Sequence, residues 1–190
     1  MHPLYQHIQQ IAPINEDAFD KIVKRCKQKQ VRKHQFVLQE GQVCTHDTFV
    51  VSGALRQYYI DAKGKEHIVQ FAFANWWVAD YDSMLRQQPG KYNIDALSHS
   101  EVLQMDKQAM DELCDEIPAL STYFRRLFQQ AFAAQQRRIL YLQQPAEERY
   151  RDFCDTYKHF EQEVSLAQIA SYLGITRESL SRIRRQVSDM

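Results

Sequence analysis

The feature that most restricts the fold is a long stretch without helix-breaking residues, which runs from Pro118 to Leu142. Pro118 suits the first turn of a helix, where its missing N–H would be unpaired anyway, and no glycine or further proline follows before Leu142. This stretch can form one helix of about 25 residues, or roughly 37 Å at 1.5 Å per residue. The rest of the fold therefore has to be arranged before and after a long helix.

The apolar residues of this helix fall on two faces. One stripe advances in steps of four and three, the spacing of a coiled-coil seam: Leu120, Phe124, Leu127, Ala131 and Ala134, followed by Arg138 and Tyr141. The second stripe consists of Phe128, Phe132, Ile139 and Leu142. A helix on the surface of a monomer needs only one apolar stripe. Two stripes predict a homodimer, with Leu120 to Ala134 of the first stripe as its interface, or else a helix buried between two parts of one chain.

The region before the long helix has the pattern of a sheet protein. Short segments rich in β-branched and aromatic residues alternate with turn residues, and they lie at 48–51, 55–60, 67–73, 93–97 and 101–105. Gly53 and Gly64 are available for two of the turns. A helix is expected at 16–27. The fold class is therefore α+β, with an N-terminal antiparallel β-roll of the jelly-roll type flanked by helices.

Composition excludes several classes of protein. Lys plus Arg and Asp plus Glu both number 24, so any binding to nucleic acid must come from a local patch. Residues 21–33 hold seven basic residues, which form either a solvated helix face or a second contact for an acidic partner. No apolar run reaches the ~18 residues of a membrane helix, and the N-terminus lacks the pattern of a signal peptide. A cytoplasmic protein without a membrane partner is expected.

Cysteine and histidine spacing gives no support for a cofactor. The four cysteines, Cys26, Cys44, Cys114 and Cys154, contain no CxxC pair, so we expect reduced thiols and no structural metal. The histidines show no HxH pair, which disfavours a cupin-type metalloenzyme built on a similar roll. We therefore expect no catalytic residues, no metal and no cofactor.

Residues 165–185 have the pattern of a helix-turn-helix. Ser165 and Gln168 form a capping box that begins a helix, and Gly174 supplies the left-handed residue that ends it. Thr176 is then the N-cap of a second helix. The apolar and small positions that hold the two helices together are also present: Ala170, Ile175, Leu180 and Ile183.

The outer face of the second helix is strongly basic. Residues 176–187 contain four arginines and one acid, a local charge of +3 in a neutral chain. Arginine can read guanine O6 and N7 with its fork, and glutamate can accept from cytosine N4. We therefore predict double-stranded DNA as the partner, contacted by Ser165, Thr176, Arg177, Glu178, Ser181, Arg182 and Arg185. The alternative is a solvated helix that binds nothing.

Two blocks of the chain resemble the Crp/Fnr family of bacterial transcription regulators. The first covers 40–56 and Gly64-Lys65-Glu66 and resembles the family's cyclic-nucleotide-binding-like roll, and the second covers 174–183 and resembles its recognition helix. The resemblance implies that Arg177, Glu178 and Arg182 occupy base-reading positions. It implies a homodimeric, sequence-specific regulator that contacts RNA polymerase. The joint at Gln143-Gln144-Pro145 divides the chain into a sensor domain at 1–143, with the dimer helix at 118–142, and a DNA-binding domain at 144–190.

The chain departs from the family pattern in the phosphate cassette and in the wing. Residues 73–86 lack the Gly-Glu and Arg-Ser pairs that hold a cyclic phosphate, so a response to cyclic AMP is not expected. Trp76, Trp77 and Tyr81 in this stretch either line a pocket for an unidentified small-molecule effector or belong to the core. Only five residues follow Arg185, so we expect a reduced wing at 159–164. A sensor that acts through protein partners without binding DNA is the competing function.

Overall fold

The computed structural model of the chain describes residues 2–157 and 163–188. Most of the predicted wing, 159–162, lies outside the described residues. Within them the helices are α1 (Pro3–Ile11), α2 (Glu16–Lys24), α3 (Tyr81–Arg86), α4 (Lys107–Glu116), α5 (Pro118–Tyr141), α6 (Ala146–Thr156), α7 (Leu166–Leu173) and α8 (Arg177–Ser188). The strands are β1 (Cys26–Val31), β2 (Phe36–Leu38), β3 (His46–Ser52), β4 (Ala54–Ile60), β5 (Glu66–Phe73), β6 (Trp77–Val78), β7 (Asn93–Ala96) and β8 (Ser100–Asp106).

The strands form two antiparallel four-stranded sheets. We call them sheet A, in the order β1-β8-β3-β6, and sheet B, in the order β2-β7-β4-β5. Both sheets contribute apolar side chains to a shared core, because alternate residues of a strand point to the same face. Val50 and Val102 come from sheet A, and Leu55 and Ile94 come from sheet B. The predicted antiparallel roll is thereby confirmed.

The turn between β3 and β4 requires glycine. Gly53 has a φ of +84°, which lies in the left-handed region. A Cβ atom at this position would overlap the side chain of Ser100 and the backbone carbonyl of His99. The hydroxyl of Ser100 accepts a 3.1 Å hydrogen bond from Ala54 N–H directly after this turn. The close approach lets the chain pass from sheet A to sheet B.

The predicted helix at 16–27 was wrong at its C-terminal end. Helix α2 ends at Lys24, and β1 begins at Cys26 and pairs with β8 from Cys26↔Met105 to Val31↔Ser100. The basic stretch 21–33 is therefore divided between a helix end and an edge strand. Lysines on an edge strand discourage pairing with other chains. Because they replace apolar residues, the sequence of β1 also lacks the apolar–polar alternation by which a strand is predicted.

Helices cover the outer face of sheet A. Helices α1, α2 and α4 and the first half of α5 bury one continuous apolar cluster against β3 and β8. Phe49 and Met105 contribute from the sheet, Leu113 from α4, and Leu120 and Phe124 from α5. The long helix is thus anchored to the roll by its N-terminal half.

The C-terminal helices cover the outer face of sheet B. Phe71 and Phe73 of β5 pack in one core with Phe153 of α6 and Leu173 of α7. Ser171 Oγ donates a 2.9 Å hydrogen bond to the carbonyl of Glu66 and accepts a 3.0 Å bond from Ile68 N–H. Because β5 is an edge strand, these two backbone groups have no strand partner on that side. The sequence gives no signal for this docking.

Candidate nucleic-acid interface

Local hydrogen bonds define the helix-turn-helix. Ser165 Oγ accepts from Gln168 N–H at 3.3 Å, and Gln168 Oε1 accepts from Ser165 N–H at 2.8 Å, which confirms the capping box. Gly174 ends α7 with a φ of +69°. Thr176 Oγ1 accepts from Ser179 N–H at 3.1 Å and begins α8. Each of these caps was predicted from residues within four positions of one another.

Buried residues decide which face of α8 points outward. Leu180 and Ile183 are almost fully buried and pack in one core with Ile169 and Leu173 of α7. The opposite face is left open to solvent. It carries most of the residues predicted to contact DNA, namely Thr176, Arg177, Glu178, Arg182 and Arg185, which are exposed, and Ser181, which is half-buried. Ser165 is exposed too, but it lies at the start of α7 and uses its hydroxyl as a cap.

Three arginines of this face have no carboxylate partner among the residues that the structure describes. In the described parts of the chain, no carboxylate forms an ion pair with Arg177, Arg182 or Arg185. The pKa of Glu178 is lowered, first by the hydrogen bond from its own backbone N–H and then by that from the Thr176 hydroxyl. Glu178 is therefore ionised at neutral pH and can act as an acceptor. The face offers guanidinium donors beside one carboxylate acceptor.

The aromatic residues predicted as pocket or core do not surround a common cavity. Trp77 is buried between Phe49 and Phe124, with ring centroids 5.2 and 5.4 Å away. Trp76 packs on Tyr157, the residue that caps the C-terminus of α6, on the side of sheet B. The Tyr81 hydroxyl donates a 3.0 Å hydrogen bond to Asp47. Trp77 therefore lies in the core, the second of the two predicted alternatives, and Trp76 points to the opposite side of the strand.

A different cavity lies inside the roll. It has a volume of about 120 Å³ and is lined mainly by the strand residues Leu38, His46, Thr48, Val78, Ile94 and Gln104 and by the loop residues Gln42 to Thr45. Typical ligand pockets have volumes of roughly 300 Å³ or more. The cavity holds only a small group in this conformation. Sequence reasoning missed it because its lining comes from five strands that are distant along the chain.

Residues that hold metals in proteins do not converge. In the described ranges, 2–157 and 163–188, no three His, Cys, Asp or Glu side chains lie close enough to bind a metal ion. None of the four cysteines, all within these ranges, forms a disulfide, and burial raises the pKa of the Cys26 and Cys114 thiols to about 11. In the same ranges, no helix is both long enough and apolar enough to cross a membrane.

The long helix exposes a different stripe from the one predicted. Leu120 and Phe124 are 1% and 4% exposed, so their assignment to the dimer interface was wrong. Leu127 is half-buried, and Ala131 and Ala134 are exposed. The large exposed apolar side chains come mainly from the second stripe and are Phe128, Phe132, Ile139, Leu140 and Leu142. Periodicity shows that two faces are apolar, but it does not show which one packs on the roll.

Comparisons with known proteins agree with this arrangement. The family model described as "Cyclic nucleotide-binding domain" matches residues 28–117. The chain is 26% identical over 179 residues to the "Anaerobic regulatory protein" of Aggregatibacter actinomycetemcomitans, which covers 88% of the chain and 68% of that protein. It is 27% identical over 179 residues to the "Fumarate and nitrate reduction regulatory protein" of Vibrio cholerae, with 88% and 70% covered.

A solved structure shows the same fold. The structure of FixK2 from Bradyrhizobium japonicum superposes with a TM-score of 0.74 at 17% identity and covers 86% of the chain and 85% of its own. A nucleotide-binding-like roll, a long helix and a helix-turn-helix with an exposed basic face define a class of DNA-binding transcription regulators. The relatives and the fold together place the chain within that class. Its relatives and its fold agree with the resemblance of its sequence to the Crp/Fnr family.

Proposed function

We propose that this protein is a homodimeric, sequence-specific DNA-binding regulator of transcription that works in the cytoplasm. The observation that carries the proposal is the open face of α8, where Arg177 and Arg182 are exposed and have no carboxylate partner among the described residues. Leu180 and Ile183 hold the helix from behind, so this face projects from the protein. An exposed arginine fork beside an ionised glutamate matches the donor and acceptor pattern of a base pair in the major groove.

The roles of the individual residues follow from their positions on the helix. The N-terminal part of a recognition helix enters the major groove. Arg177, Glu178, Ser181 and Arg182 lie within the first two turns of α8 and are assigned to base edges. Arg185 lies one turn later. Thr176 and Ser165 lie at the N-termini of the two helices, where hydroxyl and backbone N–H groups favour phosphate.

A second copy of the chain is assigned to the exposed half of α5. Phe132, Ile139 and Leu140 are between 63% and 68% exposed, which is unusual for large apolar side chains on one helix. Ala131 and Ala134 lie beside them and permit close approach of two helices. Pairing along this surface gives a dimer with two recognition helices, which read half-sites about 10 bp apart.

The roll is proposed to sense something other than cyclic AMP. Asp80 Oδ1 accepts a 3.0 Å hydrogen bond from Ser83 N–H and so caps the N-terminus of α3 with a carboxylate. This capped end lies in the stretch that would have to hold the cyclic phosphate, and a carboxylate there repels a phosphate. An unidentified small effector and a contact with RNA polymerase complete the proposal.

The experiment starts from an unbiased selection of genomic DNA fragments on the purified protein, followed by gel-shift titration of the selected site. Replacing both Arg177 and Arg182 by alanine is expected to weaken binding at least about thirtyfold, because each bidentate pair contributes about 1–3 kcal/mol. The matched control replaces Lys63 and Lys91, two exposed lysines of the roll. Equal losses in both double variants, or a well-folded dimer that selects no fragment, would contradict the proposal and favour a sensor that acts through protein partners.

A further inference from the structure

The last turns of α5 contact the C-terminal end of α7. Arg138 donates a hydrogen bond from Nη2 to the carbonyl of Tyr172. Its guanidinium also lies over the Tyr172 ring, 3.9 Å from the centroid, and 4.9 Å from the centroid of Tyr141. Tyr141 donates a 2.6 Å bond to the carbonyl of Arg149 on α6. One turn of α5 thus forms hydrogen bonds with both α6 and α7, the two helices that pack behind α8.

A second arginine donates a hydrogen bond to the next carbonyl along α7. Arg149 donates from Nη1 to the carbonyl of Leu173, and this Nη1 is 3.5 Å from where a Cβ at Gly174 would be. The last carbonyls of a helix have no partner within the helix, and cations are favourable there. The two arginines therefore satisfy the last two carbonyls of α7, directly before the turn into α8.

Each of the two guanidinium groups is left with one buried nitrogen that has no hydrogen-bond partner in the part of the chain that the structure describes. Arg138 Nη1 and Arg149 Nε are buried and have no hydrogen-bond partner in the described residues. No carboxylate forms an ion pair with either side chain within these residues. Burying a partly unpaired cation is unfavourable. A contact of this kind is a poor source of stability, but its fork and ring stacking define the position of the carbonyl closely.

The same part of α5 carries the surface assigned to the second copy. Ile139 and Leu140 follow Arg138 directly and are exposed, whereas Arg138 is half-buried on the side of α7. We propose that Arg138 is a positioning residue, which transmits the placement of the paired long helices to α7 and, through Gly174, to the reading helix. The proposal rests on the proposed function. In the dimer, Arg138 sets the separation at which the two α8 helices meet DNA.

The first test compares Arg138→Met with Arg137→Met, which removes the same charge from an exposed neighbour on the same helix. Arg138→Met is expected to weaken binding to the selected site about tenfold, the scale of a hydrogen bond to a charged group. Arg138→Lys is not expected to restore binding, because lysine lacks the fork and the planar stack. The variant is also expected to lose the preference of the wild-type protein for one half-site spacing, which a merely structural contact would leave unchanged.

Salt dependence separates positioning from direct contact. The slope of log affinity against log salt is expected to stay unchanged in Arg138→Met, whereas loss of a phosphate contact lowers it by about 0.9. A lowered slope, or an equal loss of affinity in Arg137→Met, would overturn the proposal.

A readout without DNA keeps the test independent of the proposed function. Hydrogen exchange is measured at the amides of Gly174 and Ile175, which bond to the carbonyls of Ser171 and Ala170. Exchange there is expected to accelerate at least about tenfold in Arg138→Met, while β3 and β8 and the dimer stay unchanged. Unchanged exchange at the turn, or faster exchange throughout the chain, refutes a positioning role. If the wild-type protein selects no DNA, the proposed function fails and this measurement still decides on Arg138.

Discussion

The indole Nε1 of Trp77 donates a 2.7 Å hydrogen bond to the hydroxyl oxygen of Tyr123, which joins the roll to the long helix. The same hydroxyl lies 2.7 Å from Nδ1 of His7 in α1. While its oxygen accepts from Trp77, the hydroxyl can donate its own proton to Nδ1 of a neutral His7 ring that is protonated on Nε2. Burial lowers the pKa of His7 and favours this neutral form.

Tyr123→Phe is expected to lower the free energy of unfolding by about 1–3 kcal/mol, because it leaves the buried N–H of Trp77 without an acceptor. Urea unfolding followed by tryptophan fluorescence measures the change. Tyr59→Phe, at an exposed tyrosine of β4, is the control. Equal stability of the two variants would show that the bond contributes nothing.

Gly53→Ala is expected to destabilise the roll by more than about 1 kcal/mol, since alanine is strained at positive φ and its Cβ would overlap Ser100. Gly64→Ala is a matched control, because Gly64 also has a positive φ, of +78°, but no atom lies within 4 Å of the added Cβ. Thermal unfolding of both variants separates steric overlap from backbone strain. A smaller loss at Gly53 than at Gly64 would contradict the close approach described here.

Phe132→Asp is expected to convert the dimer to a monomer, because it places a charge in the middle of the exposed stripe of α5. Leu85→Asp on α3 makes the same change at a side chain that is 73% exposed and lies outside α5. Light scattering after size-exclusion chromatography gives the masses. A dimer that survives Phe132→Asp would place the interface elsewhere.

The buried Asp47 is expected to make the unfolding free energy depend on pH. Burial raises its pKa to about 7, opposed by hydrogen bonds from Tyr81 and from the backbone N–H of Thr48. The folded state therefore holds a proton that the unfolded state has lost above about pH 4. This contribution to stability is complete below pH 4 and is lost as the pH rises to 7, with a slope of up to about 1.4 kcal/mol per pH unit. In Asp47→Asn this slope should disappear from urea titrations between pH 5 and 7; a slope as steep as that of the wild-type protein would rule out Asp47 as its source.

The sequence predicted the features that depend on near neighbours and missed those that depend on distant ones. The caps at Ser165, Gly174 and Thr176 are signals within a few residues, and all three were found. Strand β1 was missed, and its first two residues were assigned to a helix, because its Lys-Gln alternation becomes meaningful only beside β8. The assignment of Leu120 and Phe124 to the dimer was wrong because only the roll shows which apolar face it covers.

The hydrogen bonds between Ser171 and the backbone of Glu66 and Ile68 also protect the protein against aggregation. An uncovered edge strand is a template on which another chain can add a strand, and the first step of many aggregation reactions is such an addition. The Ser171 hydroxyl pairs with backbone groups on the open side of β5, and the C-terminal helices thereby cover an edge strand that could otherwise pair with another chain. A chain truncated before α7 would expose that edge strand to other chains, so the helices proposed to contact DNA also protect the roll from aggregation.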